Sequence, residues 1–287
     1  MRPFLIFASL FIISCSGQDH KLKELIKPDL KEVSGIQTLE GSDIVWALED
    51  SGNKNKLYKV SPDGTYESLT IKGVKNNDWE DIAADKEGNL YIGDFGNNDN
   101  ERKDLAIYKI DKNNLGETEA SASYTVSFYY PEQTEFPPKK SERVYDVEGF
   151  IEHEGNFYLF TKNRSAKFQG DFFVYKVPNK AGSHAAKRIA KLNSCKVYSK
   201  CAITGADISP DGKTIALLSA DKIWLLTSFK GDNFSQKNMK QYDLGHTTQK
   251  EGICFRDANT LYIADEKDKA GGGYIYELKL SDLETKR

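Results

Sequence analysis

The sequence predicts an all-β fold, a five-bladed β-propeller, with a sixth degenerate blade as the alternative. Three observations carry this. One phrase, a short strand, a turn of Gly, Asp or Asn and a second strand ending in charged residues, occurs five times. Its copies begin at Val33, Trp79, Val147, Gly205 and Lys250, separated by 46, 68, 58 and 45 residues. Tyr and Phe, at 15 each, far outnumber the 2 Met, which favours strands over helices.

The segments after each copy complete four-stranded units. "NKLYKVS", "LAIYKID", "FFVYKVP", "KIWLLTS" and "GYIYELK" alternate apolar and polar residues as third strands. "YESLTIK" and "SYTVSFYY" read as fourth strands. Radial repetition of such units leaves only short, protected edges, the property of a propeller. The longer intervals hold the insertions "YYPEQTEFPPKKSERVYD" and "NSCKVYSKCAIT". "LIKPDLKE", ahead of the first copy, is expected to add an outer strand to the last blade and close the ring. Residues 25–287 therefore form a single domain, with no Gly-, Ser- or Pro-rich linker to divide them.

The N-terminus is organised differently. One Arg, an apolar run from Phe4 to Ile13 and Ser14-Cys15 have the shape of a secretory signal. The ending Ile12-Ile13-Ser14-Cys15 resembles the bacterial lipobox. That resemblance implies a signal peptide of residues 1–14, lipidation of Cys15 and a membrane-anchored lipoprotein of the cell envelope, with residues 15–24 as a tether. Two or three acyl chains anchor firmly where one binds marginally. Outside the cytosol disulfides persist, so Cys195 and Cys201 are candidates for pairing. Cys254, within "GICF", reads as a small buried hydrophobe. A formal charge of -3 with scattered Lys provides no basic face for nucleic acid. The expected state is a monomer.

In a propeller the first strand of each blade lines the axial channel. Aligning the openings on Ile36, Ile82, Phe150, Ile208 and Ile253 places Ser34, Glu80, Glu148, Ala206 and Glu251 two positions earlier. Gly35, Asp81, Gly149, Asp207 and Gly252 come one position earlier. Three carboxylates and a hydroxyl are thereby expected to converge on the axis. Repulsion raises at least one of their pKa values unless a cation intervenes. Ca²⁺, which takes six to eight oxygens, suits the set better than Mg²⁺, and the absence of His and Cys from it disfavours zinc.

The second strands return to the same rim and end in Glu49-Asp50, Asp94 with Asn97 and Asn98, Lys162 with Arg164, and Asp265-Glu266. His246 precedes the last copy on that face, whereas His153 lies in a turn on the opposite one. Such a rim can receive a small-molecule or protein ligand. It can also hold a phosphate, with Arg164 and Lys162 on its oxygens, Ca²⁺ polarising it, and Asp94 or Glu49 as base.

The openings "VSGI", "DWEDI", "DVEGF", "TGADI" and "KEGI" resemble those of the SdiA-regulated domain family of envelope propellers. The order Ser, Glu, Glu, small residue, Glu is similar to that of the calcium-activated apyrases, nucleotidases with one axial Ca²⁺. The second resemblance implies Ser34, Glu80, Glu148 and Glu251 as calcium-facing side chains and Arg164 near a phosphate. Ala206 departs from that pattern where those enzymes carry a second Ser, so that oxygen is expected from water, Thr204 or a backbone carbonyl. Two functions are therefore expected of the ring face: a calcium-stapled module that binds a ligand or partner, or a calcium-dependent phosphohydrolase.

Overall fold

A computed structural model describes residues 21–269 and 271–283. Five four-stranded antiparallel units form five blades; the sixth is not found among the described residues. The first strands are Val33–Thr38, Trp79–Ala84, Asp146–His153, Gly205–Ile208 and Lys250–Asp257. Every third strand expected from the sequence is present, including Lys56–Val60 and Ile275–Lys279, and so are the fourth strands Tyr66–Lys72 and Tyr124–Tyr129.

Alternate side chains of one strand enter the two wedges on either side of its blade. Tyr91 packs toward the third blade with Phe150 and Phe157, while Ile92 packs toward the first with Trp46 and Leu48. There are five such apolar clusters, each between adjacent blades. Burial on both faces explains why the inner strands, such as Val45–Glu49 and Leu90–Asp94, are buried along their whole length.

The ring closes as expected, with a shifted register. The closing strand is Lys23–Ile26, antiparallel to Ile275–Lys279. It begins inside the segment assigned to the tether, because Leu22, Ile26 and Leu30 are apolar anchors buried against the last and first blades. Each contributes roughly 2 kcal/mol of burial. Cys15 and the signal segment lie outside the described residues. Among the described residues no helix is long and apolar enough to cross a membrane.

Two short strands reinforce the outer edge. Glu119–Ser121 pairs parallel with Tyr66–Lys72 of the first blade, and Gly182–Ala185 pairs parallel with Tyr124–Tyr129 of the second. The second insertion is stapled by a Cys195–Cys201 disulfide, and Cys254 is free and buried.

Candidate metal centre

The channel-lining strands share an irregularity that the sequence did not reveal. The ladder to the second strand skips one residue at Ser34, Glu80, Glu148 and Glu251. A bulged residue leaves the ladder and re-aims its side chain. All four are buried, at 1%, 4%, 3% and 8% exposure.

In the fourth blade Gly205 pairs with Leu218, as Gly35 pairs with Leu48 in the first. The residue before it is Thr204. Its Oγ1 donates to the Lys250 carbonyl of the next blade at 2.6 Å, as the Ser34 Oγ donates to the Trp79 carbonyl at 2.7 Å. Ala206 is therefore displaced from the ring, and the five positions are Ser34, Glu80, Glu148, Thr204 and Glu251. The glycines beside them are required by proximity. A Cβ on Gly35 would lie 2.7 Å from the Asp81 Cα, and one on Gly149 2.6 Å from the Ala206 backbone nitrogen.

The same correction moves Asp207. Its carboxylate accepts from Gln37 Nε2 at 3.1 Å and from the Phe255 N–H at 2.7 Å, and it borders the cavity on the opposite face. It does not belong to the ring face.

Two acids absent from the sequence reading join the ring. Glu80, Asp146 and Glu148 each offer an oxygen within 4.8 Å of the others', and Asp50, Asp78 and Glu80 form a second such group. The signal was present in "DWE" and "DVE", where an Asp precedes the ring Glu by two residues in both blades. Gly96 makes room for the second group, since its Cβ would sit 2.0 Å from Glu80 Oε1 and 2.5 Å from the Asp78 Cγ. Gly96→Ala is accordingly expected to displace Glu80 and weaken cation binding at least tenfold, measured by calorimetric titration.

Asp50, Asp78, Glu80, Asp146, Glu148, Glu251 and Glu266 face chiefly two cations. Lys162 Nζ donates to Glu148 Oε2 at 2.8 Å. Arg164 bonds Asp146 through Nε and Glu148 Oε1 through Nη2, the latter at 2.6 Å. Tyr198, in the disulfide loop, lies 3.3 Å from Arg164 Nη1.

Burial, then the charge of Glu148, raises the Glu80 carboxyl well above its usual range. Glu251 is raised by the same two causes and shares a hydrogen bond with Glu266. Burial and Glu148 push Asp146 up to about 7, and burial and Asp50 push Asp78 up to about 6. Burial opposes the Lys162 charge, but Glu148 and Glu251 hold its pKa above the ordinary lysine value. The cluster carries more negative charge than its protein partners offset.

The residues expected to act as bases have their carboxylate oxygens engaged in hydrogen bonds within the protein. Glu49 accepts from the Lys31 N–H at 3.1 Å and the Tyr58 hydroxyl at 2.7 Å. Asp94, fully buried, accepts from Arg102 Nη2 at 2.8 Å, the Tyr108 hydroxyl at 3.1 Å and the Asp78 N–H at 3.1 Å. Asp265 accepts from the Tyr274 N–H and the Tyr276 hydroxyl, both at 2.9 Å. One latch thus recurs in three blades, joining the acid that ends the second strand to a Tyr of the third. Tyr108→Phe is expected to cost about 1 kcal/mol in urea unfolding, with cation binding unchanged.

The remaining rim residues divide. Asn97 is buried; its N–H donates to Asp146 Oδ1 at 2.7 Å and its Oδ1 accepts from the Arg102 N–H at 2.9 Å. Asn98 is exposed. His246 is half-buried with its ring 5.4 Å from that of Tyr276. His153 lies on the opposite face, where it borders the cavity there.

No family model matches the sequence, and no curated protein matches it. Among solved structures, the PQQ-bound aldose sugar dehydrogenase of Streptomyces coelicolor aligns with 91% of this chain and 98% of its own, at 10% identity and a TM-score of 0.54. A gluconolactonase of Xanthomonas campestris aligns with 86% and 71%, at 11% identity and a TM-score of 0.47. The first likeness supports the propeller fold; at such identity neither speaks to the chemistry of this chain.

Proposed function

We propose that this protein is a lipid-anchored propeller of the cell envelope whose ring face binds one Ca²⁺ and, around it, a ligand or partner. The supporting observation is the convergence of Glu80, Asp146 and Glu148. The donors available are all oxygens: carboxylates, the hydroxyls of Ser34 and Thr204, and backbone carbonyls. Such a set suits a hard cation, and its number and mixed character favour Ca²⁺ over octahedral Mg²⁺. Glu80, Glu148 and Asp146 would supply the principal ligands, with Glu251, whose charge also acts on Lys162, as a further acid of the ring. A bound Ca²⁺ would offset the repulsion that raises the Glu80 and Asp146 pKa values. It would staple separate blades across the axis.

The order Ser, Glu, Glu, Thr, Glu agrees more closely with the apyrase pattern than the order carrying Ala206, which supports the second reading, a calcium-dependent phosphohydrolase of nucleotides or other phosphate esters. Its base moves from Glu49 and Asp94 to the Asp50–Asp78 pair, whose mutual hydrogen bond and an Asp78 pKa of about 6 allow it to hold or release a proton near neutrality. Ca²⁺ would polarise the phosphate, and Lys162 and Arg164 stand beside the same oxygens.

Metal analysis and Ca²⁺ titration of the mature protein test the shared site. A stoichiometry near one supports it, and none after thorough loading rejects it. Phosphate release from nucleoside triphosphates with Ca²⁺ separates the readings. Turnover no greater than that of Glu80→Gln rejects the hydrolase and leaves the binding module.

A further inference from the structure

Below the acidic ring the Gln37–Asp207 hydrogen bond joins the first strands of the first and fourth blades, beside the buried Asp81. On the opposite face, the hairpin turns of all five blades surround a cavity of about 1410 Å³. That exceeds the ~300–1,000 Å³ of most small-molecule clefts.

Its chemistry differs from that of the ring. Seven lining carboxylates are interspersed with five Lys and Arg residues around the wall, so the two signs nearly balance. The excess of two carboxylates is small for a lining of this size and is spread around the wall rather than gathered at one point. One wall, at the junction of the second and third blades, is a continuous polar ladder. Asp85 Oδ2 accepts from the Tyr91 hydroxyl at 2.8 Å, and that hydroxyl accepts from Asn179 Nδ2 at 3.0 Å. Asn179 Oδ1 accepts from the Tyr124 hydroxyl at 2.7 Å, while its Nδ2 lies 3.4 Å from Glu152 Oε1. Lys109 lies over both tyrosine rings, 5.8 and 5.4 Å from their centroids.

We infer that this cavity is a second binding site, for a neutral glycan. Vicinal hydroxyls both donate and accept, and so can add to a ladder of carboxylate, amide and phenol groups already oriented by its internal hydrogen bonds. The C–H faces of a sugar ring meet the apolar sides of Tyr124 and the Lys109 stem. The volume accommodates more than one sugar unit. The site is distinct from the acidic ring, because none of the ring acids lines it.

The test is isothermal titration of the intact protein with maltoheptaose and chitohexaose, with a heparin-derived oligosaccharide as the anionic comparison. Binding of a neutral glycan is expected, weakened at least tenfold by Glu152→Gln and by Lys109→Ala with the melting temperature held as a control of folding. Glu80→Gln is expected to leave it unchanged, so failure of the calcium reading and failure of this one are distinguishable. Absence of binding by both neutral probes at millimolar concentration overturns the inference. So does tighter binding of the anionic probe, or neutral binding insensitive to both cavity variants. Preferential binding of an unglycosylated peptide would assign the cavity to a protein segment instead and equally overturn it.

Discussion

Saturating Ca²⁺ is expected to raise the melting temperature of the metal-stripped protein by about 5–10 °C. At a free concentration 100 times the dissociation constant, a ligand of the folded state adds ~2.7 kcal/mol. For a chain of this size each kcal/mol is worth about 2–4 °C. The variant Glu80→Gln sharpens the expectation. Glu80 belongs to both acidic groups, and its raised pKa reflects burial and four neighbouring acids. Removing its charge should abolish the calcium response while making the stripped protein more stable than the stripped wild type. A side chain whose role was only structural would lower stability under both conditions. Glu148→Gln differs because Glu148 also holds Lys162 and Arg164. It should lose the calcium response and destabilise the stripped protein as well. Scanning calorimetry with and without chelator reads all of these. An unchanged midpoint in the wild type after complete stripping would reject the metal.

The stripped protein is expected to lose stability as pH rises from 5 to 8, by about 2 kcal/mol or more. Asp146 and Asp78 are ordinary carboxyls in the unfolded chain, but burial and neighbouring acids raise them to about 7 and about 6 in the fold. A raised carboxyl makes the native state bind more protons than the unfolded state between the two pKa values, so stability falls with pH across that window. The contribution is fully present below about pH 4 and lost through about pH 7. Each unit of separation is worth about 1.4 kcal/mol. Lys250, held down to about 8 mainly by burial, has the opposite sign but acts above this window. Ca²⁺ should flatten the slope, since the ion favours the ionised acids, and its affinity should fall below pH 6 as they protonate. Urea unfolding of the stripped protein at pH 5 and pH 8 is the measurement. A stability that is flat or rising across this range would contradict the acidic cluster.

The correction at Thr204 shows why alignment alone fell short. Matching the fourth opening on Ile208 was reasonable, because each other copy has an apolar residue two places after its ring residue. The first strand of that blade is only four residues long, and Ala206 occupies the place of Ile36 and Phe150. A small residue at the apolar position hid the register. The pairing of Gly205 with Leu218 and the shared hydroxyl-to-carbonyl bonds of Thr204 and Ser34 reveal it. Glu49 and Asp94 show the converse limit. Their place at the strand ends was legible, but the Tyr hydroxyls that occupy their oxygens come from another strand.

The chain by itself determined the number of blades, the strands within them and the ring Glu residues of three blades. These follow from short-range periodicity: apolar alternation at a period of two and a turn phrase repeated at each blade opening. The tertiary structure alone decided which acids meet. Asp50 and Asp78 approach Glu80 from either side of a blade boundary, Asp207 turns to the opposite face, and Lys162 and Arg164 offset part of the charge. Bulges and strand register within each hairpin aim the side chains, and the packing of one blade against the next, between residues far apart in the sequence, sets those distances.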